Sequence, residues 1–333
     1  MEKIDFVILW VDGNDPKWLK EKEKYLQKKS NDLNNQNNRF RDWDLLRYWF
    51  RGVEQNAPWV NKIHFVTWGH VPKWLDTENS KINIVKHEEF IPNEFLPTFN
   101  SNVIQFYLNN IDGIADKFVM FDDDQFLLNK VSINDFFIGD KIRDEYAEKP
   151  IFTSKLGDVY PHSLMNNMGC INQNYSKRKL YKKNWKKYFS YKNGMKNNFR
   201  TLLLAPWSYF VGFDNPHICH CYTKEYYSKF WELCGEKLYE SSKNKFRREN
   251  DLTTFLIRCL FLMDGMYIPR SHKFGRRFEL SNNNDNVYKA ILSDKYKVIC
   301  INDSRMDIDF ENIKKELICT FEKKYPNKSS FEK

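Results

Sequence analysis

Short apolar runs and longer helical patterns alternate along the first half of the chain. Residues 4–11, 63–68, 82–85 and 118–121 are rich in β-branched and aromatic side chains and predict buried strands. Between the first two, Leu46, Trp49, Phe50 and Val53 recur at helical spacing behind Asp42, which the pattern predicts as the cap of that helix. Strands joined by helices predict an α/β fold, a Rossmann-like or GT-A-like nucleotide-binding sheet with flanking helices. Near the end, residues 297–301 predict one more strand. Phe310, Ile313, Leu317 and Phe321 then predict an amphipathic helix that closes the fold.

Two stretches depart from this alternation. Residues 31–38 are almost wholly polar and predict a mobile loop. Residues 138–210 predict a variable, mainly helical and basic insertion, with ten Lys or Arg residues from 176 to 200. There Tyr181, Trp185, Tyr188 and Phe189 share one helical stripe opposite Lys182, Lys183, Lys186 and Lys187. Such a helix is either a surface helix with a solvated basic face or a docking face for an anionic membrane or polyanionic acceptor.

Composition narrows the class. With 333 residues, 41% of them hydrophobic and 17% aromatic, the chain has enough apolar surface for a large core. Its net charge of +9 implies an anionic partner without choosing one. The most apolar stretch, 254–268, is interrupted by Arg258 and Asp264, so no bilayer span is expected. The first residues lack signal-peptide architecture, and a cytoplasmic location is expected, with the basic segment 176–200 as a peripheral contact to the membrane. Seven scattered cysteines predict free thiols. His217, Cys219, His220 and Cys221 have no second ligand pair elsewhere in the sequence and do not predict a zinc site.

The chemistry gathers behind the strands. Asp12, Gly13, Asn14 and Asp15 follow the first, Thr67 to His70 the second, and Asp122, Asp123 and Asp124 the fourth. In open α/β sheets, ligands bind beyond the carboxyl ends of the strands, so these acids are expected to converge. Adjacent carboxylates repel one another unless a cation relieves them. Magnesium, or manganese, suits oxygen ligands that bridge to phosphates. Asp12 and Asp15 equally fit a turn-forming role around Gly13. Arg39, Arg41, Arg47 and Arg51 cluster around the first clear helix, where guanidinium forks match phosphate oxygens, although Arg51 also fits ordinary surface ion pairing.

Taken together, four blocks of residues resemble the Stealth family of sugar-phosphate transferases in the family's order. The first runs from Ile4 to Asp15. The second begins at Arg39, Phe40, Arg41 and Asp42 and passes through Leu46, Arg47, Tyr48, Ala57 to Val60 and Leu96 to Phe99 to the acidic triplet. The third spans Pro216 and His217 to Phe246, Arg247, Asp251 and Leu252, and the last is Ile299 to Asp303. Gln105 stands where the family has a glutamate, and Cys219 where it has a proline.

The resemblance implies attack at phosphorus. A hydroxyl of a growing capsular or surface polysaccharide takes hexose-1-phosphate from a nucleotide diphosphate sugar, and nucleoside monophosphate leaves. It implies Asp123 and Asp124 as metal ligands, His217 as general base with His220 as the fallback, and Arg247 as the neutraliser of the phosphate. Asp251 would orient Arg247 if that segment is helical. Donor contacts fall to Asp12, Asp15, Arg39, Arg47, His220, Asn302 and Asp303. The chain is expected to be one catalytic domain over 1–333. Within it, residues 1–137 would bind nucleotide and metal, 138–210 form the insertion, and 211–333 supply the catalytic histidine and arginine and the closing strand and helix. A metal-dependent GT-A-type glycosyltransferase releasing nucleoside diphosphate is the competing enzyme. A non-catalytic polyanion-binding protein is the competitor of another class, and no motif supports nucleic-acid binding.

Overall fold

The computed structural model describes residues 2–26, 41–153 and 157–333. The 31–38 stretch and Arg39 lie outside the described residues. In chain order the first half contains β1 (Ile4–Leu9), α1 (Pro16–Tyr25), α2 (Leu46–Asn56), β2 (Ile63–Thr67), β3 (Ile82–Lys86), α3 (Ser101–Phe106), β4 (Lys117–Phe121) and β5 (Gln125–Leu127). The middle holds β6 (Phe137–Ile138), β7 (Lys141–Asp144), α4 (Val159–Asn174), α5 (Lys177–Tyr188) and α6 (Met195–Leu204). The remainder holds β8 (His220–Thr223), α7 (Lys224–Ser242), α8 (Phe255–Asp264), β9 (Tyr267–Pro269), β10 (Gly275–Glu279), α9 (Asp285–Leu292), β11 (Val298–Asn302) and α10 (Phe310–Lys324).

The main sheet has the order β3-β2-β1-β4-β8, with the first four strands parallel and β8 antiparallel at the edge. Every residue of β2 and β4 is buried, as expected of strands covered on both faces. The expected α/β class with flanking helices is therefore the fold adopted. Chain order runs outward from β1 through β2 to β3, then returns to place β4 on the other side of β1. That reversal opens a crevice at the carboxyl ends of β1 and β4. The segments behind these two strands, Asp12 to Asp15 and Asp122 to Asp124, are consequently neighbours.

Two smaller sheets complete the architecture: β10-β11-β5 and β6-β7-β9. Both join segments remote in sequence. β5, which directly follows the acidic triplet, pairs antiparallel with β11, and the Ile301 N–H donates to the Asp124 carbonyl at 2.8 Å. β7, inside the 138–210 insertion, pairs with β9, so the insertion is stitched into the final third of the chain.

Three sequence expectations change here. Asp42 does not cap α2, because the helix starts at Leu46 behind Leu45, without a side-chain cap; Asp42 instead accepts from the Asp44 N–H at 2.7 Å. Arg51 is buried among Glu332, Glu322 and the Tyr325 carbonyl, which fastens the C-terminal segment to α2, so it is a packing residue. The aromatic stripe of α5 does not face a partner either. Tyr188 is fully buried and stacks on Tyr146 with ring centroids 3.9 Å apart; Tyr181 packs edge-on against Tyr188, and Phe189 against Tyr181. Only Trp185 of that stripe is exposed, at 56%.

Candidate active site

The acidic triplet leaves β4 at the floor of the crevice. Asp122 is locked by Gln125: its N–H donates to the Gln125 side-chain oxygen at 3.2 Å, and its carboxylate accepts from the Gln125 amide at 3.1 Å. A second amide, Gln105 of α3, points at the same carboxylate from 3.5 Å and is itself oriented by the Thr254 hydroxyl at 2.6 Å. Burial raises the Asp122 carboxyl, with Asp124 adding to the effect, while His217 and Arg247 act against it. The triplet, the histidine and the arginine, all remote in sequence, thus share one electrostatic neighbourhood. Asp123 opens to the crevice yet is ringed by protein atoms, and poor hydration together with Asp124, Asp122 and Asp42 raises its carboxyl. Asp42, placed at a helix start by the sequence pattern, is thus a further acid of this site.

His217 reaches Asp124 from the loop before β8. Its Nε2 lies 3.6 Å from Asp124 Oδ2, and both side chains are partly exposed, at 29% and 26%. Its backbone has φ of 49°, a left-handed conformation that non-glycine residues adopt sparingly and that clusters at functional sites. The Asn215 side chain holds that turn by accepting from the His217 N–H at 3.0 Å. Burial disfavours the imidazolium, but Asp124 and Asp122 outweigh it and raise the His217 pKa above its ordinary value. Cys300 of β11 completes the cluster by donating its thiol hydrogen to Asp124 Oδ2 at 3.2 Å. Burial and Asp124 push the thiol well above its ordinary range, so it is a donor that orients the carboxylate.

One ligand atom each from Asp124, His217 and Cys300 lies within 4.8 Å of the others. Asp124 Oδ1 is buried without a hydrogen-bond partner, as expected of a carboxylate oxygen reserved for a cation. The orphaned oxygen and the mutually raised carboxyls of Asp122 and Asp123 fit a bound dication. Neither Cys219 nor Cys221 belongs to this cluster; both are buried, Cys221 on β8 opposite Val119.

Arg247 sits across from Asp122. Its guanidinium hydrogen-bonds the Ser101 hydroxyl at the start of α3. Burial lowers its pKa, and Asp122, Tyr160 and Asp251 act in the opposite direction. Residues 245–254 form turns, not a helix, so the helical spacing invoked for Asp251 does not hold. Asp251 is fully buried and accepts from Asn100 at 2.8 Å, Asn244 at 2.7 Å and the Arg248 N–H at 3.0 Å. It shapes the turn that carries Arg247 and makes no hydrogen bond to the guanidinium among the described residues.

The other expected donor contacts separate. Asp15 caps α1, accepting from the Lys17 N–H at 2.7 Å, and its second oxygen accepts from His70 Nδ1 at 3.0 Å. His70 Nε2 accepts in turn from the Asp12 N–H at 2.7 Å, so the loop behind β2 fixes the loop behind β1. Asp15 is therefore a scaffold residue, while Asp12, electrostatically close to Asp42, stays at the crevice. Arg47 lies over the Trp74 ring at 5.5 Å and belongs to aromatic packing. His220 is on β8 beside Phe255, and burial together with Arg258 holds it down to about 3, which makes it a poor base. Asn302 donates to Glu279 at 2.6 Å, and Asp303 faces Arg41 at 3.7 Å, with both Asp303 oxygens buried.

Tyr160 of α4 was not legible in the sequence. Its hydroxyl accepts from Asn215 at 2.8 Å, and Arg277, Arg247 and Asp122 all act on it. The insertion thereby contributes a side chain to the site.

A glycine supports the His217 loop. A Cβ on Gly275 would lie 2.8 Å from Ile218 Cγ2 and 3.0 Å from the Val298 carbonyl, so only a bare α-carbon lets Ile218 pack on β10. Gly275→Ala should displace Ile218 and, with it, His217. Steady-state kinetics should show kcat down about tenfold or more, with the donor KM little changed; an unaltered kcat would refute this coupling.

The sequence matches two family models, Stealth protein conserved region 2 over residues 39–145 and Stealth protein conserved region 1 over residues 2–30. Among curated proteins, it is 41% identical to the capsular polysaccharide phosphotransferase WcwK of Streptococcus pneumoniae, covering 100% of this chain and 99% of that one. It is 37% identical to the exopolysaccharide phosphotransferase cps2G of Lactiplantibacillus plantarum, over 99% and 96% of the two chains. Among solved structures, it is similar to the galactosyltransferase LgtC in complex with donor and acceptor sugar analogues, with 13% identity, 95% of each chain covered and a TM-score of 0.40.

Proposed function

Because the chain belongs to the Stealth family, we propose that it is a transferase that moves hexose-1-phosphate from a nucleotide diphosphate sugar to a hydroxyl of a growing capsular or surface polysaccharide. The observation that carries this reading is the meeting of Asp122 and Asp124 with His217 and Arg247 in one crevice. A diphosphate needs positive charge on its oxygens, and an attacking alcohol needs a proton acceptor nearby; these four groups offer sites for both.

In the proposed reaction the acceptor oxygen forms a bond to the sugar-bearing phosphorus. The bridging P–O bond toward the nucleotide breaks, and nucleoside monophosphate leaves with that electron pair. His217 takes the hydroxyl proton, and Asp124 stabilises the imidazolium so formed. Arg247 faces the oxygens of the transferring phosphate, and the Asp122 carboxylate, fixed by Gln125, keeps that guanidinium turned into the crevice. Tyr160 offers its hydroxyl to the donor or acceptor sugar. Asp123 and Asp124 would hold a divalent cation of the Mg2+ or Mn2+ type, which when bound supplies neutralising charge to the diphosphate. Among the described residues, no helix is long and apolar enough to cross a membrane. We place the reaction at the cytoplasmic face of the membrane, with 1–333 acting as one catalytic unit.

Incubation with a panel of nucleotide sugars, Mg2+ and an acceptor glycan, followed by identification of the released nucleotide, tests the reading. Monophosphate is expected. Release of diphosphate would make the protein a glycosyltransferase that breaks the anomeric bond instead. Excess chelator should abolish turnover and added Mg2+ or Mn2+ should restore it; turnover that survives chelation would remove the cation from the mechanism.

A further inference from the structure

Helix α6 is built inside out. Three of its polar residues face the protein: Arg200 donates to the Glu148 carbonyl at 2.6 Å, the Thr201 hydroxyl accepts from the Glu148 N–H at 3.1 Å, and Asn198 donates to the Ser190 carbonyl at 2.9 Å. Of its apolar residues only Leu204 is buried; Met195 is 90% exposed, Phe199 64%, Leu202 57% and Leu203 60%. These four fall at i, i+4, i+7 and i+8, a continuous stripe, and Trp207 and Tyr209 extend it at 59% and 66% exposure. A surface helix of a globular protein carries the opposite arrangement, so this stripe marks an interaction surface.

Charge decides the partner. Between Asp158 and Asp214 the chain has ten Lys or Arg residues and no Asp or Glu. The start of α5 is joined to the end of α6 by Lys177 donating to the Leu204 carbonyl at 2.8 Å, and α5 exposes Arg178, Lys179, Lys182, Lys183 and Lys186. A second copy of the chain would bring this uncompensated positive field against itself. A polyanionic glycan would match the charge but offers no hydrocarbon for Phe199 and Leu203. An anionic bilayer surface offers both, with acyl chains for the stripe, headgroup phosphates for the lysines and an interfacial layer for tryptophan and tyrosine rings.

We infer that α6 is an interfacial membrane helix that lies in the plane of an anionic bilayer, with α5 as its basic flank. This deepens the membrane-face placement given above and moves the contact from the α5 aromatic stripe, which is spent on the core, to α6. It also gives the insertion a second role, because Tyr160 of the same insertion reaches the site and so links a lipid-proximal segment to the crevice.

Vesicle co-sedimentation of the full chain tests the inference with no donor or acceptor present, so its outcome is independent of the reaction assigned. The chain is expected to bind vesicles of phosphatidylcholine mixed with phosphatidylglycerol, to bind phosphatidylcholine alone much more weakly, and to release partly at high salt. The triple change Phe199→Ser, Leu202→Ser and Leu203→Ser should lower partitioning at least about tenfold, with thermal unfolding unchanged because all three side chains already face solvent. The inference is overturned if the native chain binds neither vesicle or if the triple variant binds as well as the native chain. A dimer that the triple variant dissociates, without vesicle binding by either, would also overturn it and assign the face to a second copy.

Discussion

Replacing His217 with alanine is expected to lower turnover at least about a hundredfold while the unfolding transition stays in place. The side chain is partly exposed and its Nε2 approaches Asp124 at 3.6 Å, so its loss removes a proton acceptor without opening a hole in the core. The turn at φ of 49° is retained because Asn215 still accepts from the backbone N–H of residue 217. Cation affinity of the variant separates two duties for the histidine. Because one ligand atom each of Asp124, His217 and Cys300 lies within 4.8 Å of the others, a cation seated there would compete with the proton for the imidazole. Unchanged Mn2+ affinity in the variant, with turnover lost, identifies a base; affinity and turnover lost together identify a ligand. Near-normal turnover would move the proton acceptor elsewhere, and His220, held at about 3, is not a credible substitute.

The largest loss of stability is expected from Arg258→Met. This arginine is 3% exposed on the buried helix α8. It grips both Asp144 oxygens at 2.7 and 2.9 Å and also donates to the carbonyls of Glu145 and Asp214, each at 2.9 Å. Its removal takes away the bidentate partner of the buried Asp144 carboxylate and leaves only the more remote charge of Arg270, which costs about 3–5 kcal/mol of unfolding free energy. The pH dependence gives the sign. In the native chain, burial works against the Asp144 charge, but Arg258 overcomes it and holds the pKa below the ordinary value. The pair's stabilisation is thus present above the ordinary aspartate range and is lost as pH falls through the lower folded pKa. Without Arg258, only Arg270 and the Glu145 N–H are left to oppose burial, and the balance shifts toward protonated Asp144. The deficit should therefore be greatest near neutrality and shrink as pH falls toward about 4. Denaturant titrations at several pH values check this; a deficit independent of pH would show that lost packing, not the unpaired carboxylate, is responsible. Because the Asp214 carbonyl lies three residues before His217, activity should fall along with stability.

The strand ends were the most legible feature of this chain. A short β-branched run has to stop at a sheet edge, and the residues directly behind it have to lie there, so the positions of Asp12 and of Asp122 to Asp124 followed from pattern alone. The parallel sheet followed from helices alternating with strands. The resemblance supplied His217 and Arg247, which no periodicity marks. Cys300 and Tyr160 were illegible because each is brought in by a pairing between distant segments, β5 with β11 and the insertion with the 215–217 turn. Asp15 and Arg47 were expected at the ligand on residue type alone, whereas ion pairing was anticipated for Arg51 and its burial was not. In the fold, backbone N–H groups, an indole ring and buried carboxylates claim them first.

By itself, then, the amino-acid sequence determined the α/β class, the acidic strand ends and the excess of positive charge in the insertion, because each is a property of one segment and its immediate neighbours. Only the tertiary structure decided which acids share a crevice with His217, and that α5 turns its aromatic stripe inward while α6 turns its own outward. Periodicity reports that a helix has two unlike faces. Which face is buried depends on the partners that the rest of the chain presents, and for α6 those partners are carbonyls and amides that its Arg200, Asn198 and Thr201 satisfy, leaving the apolar face without protein to cover it.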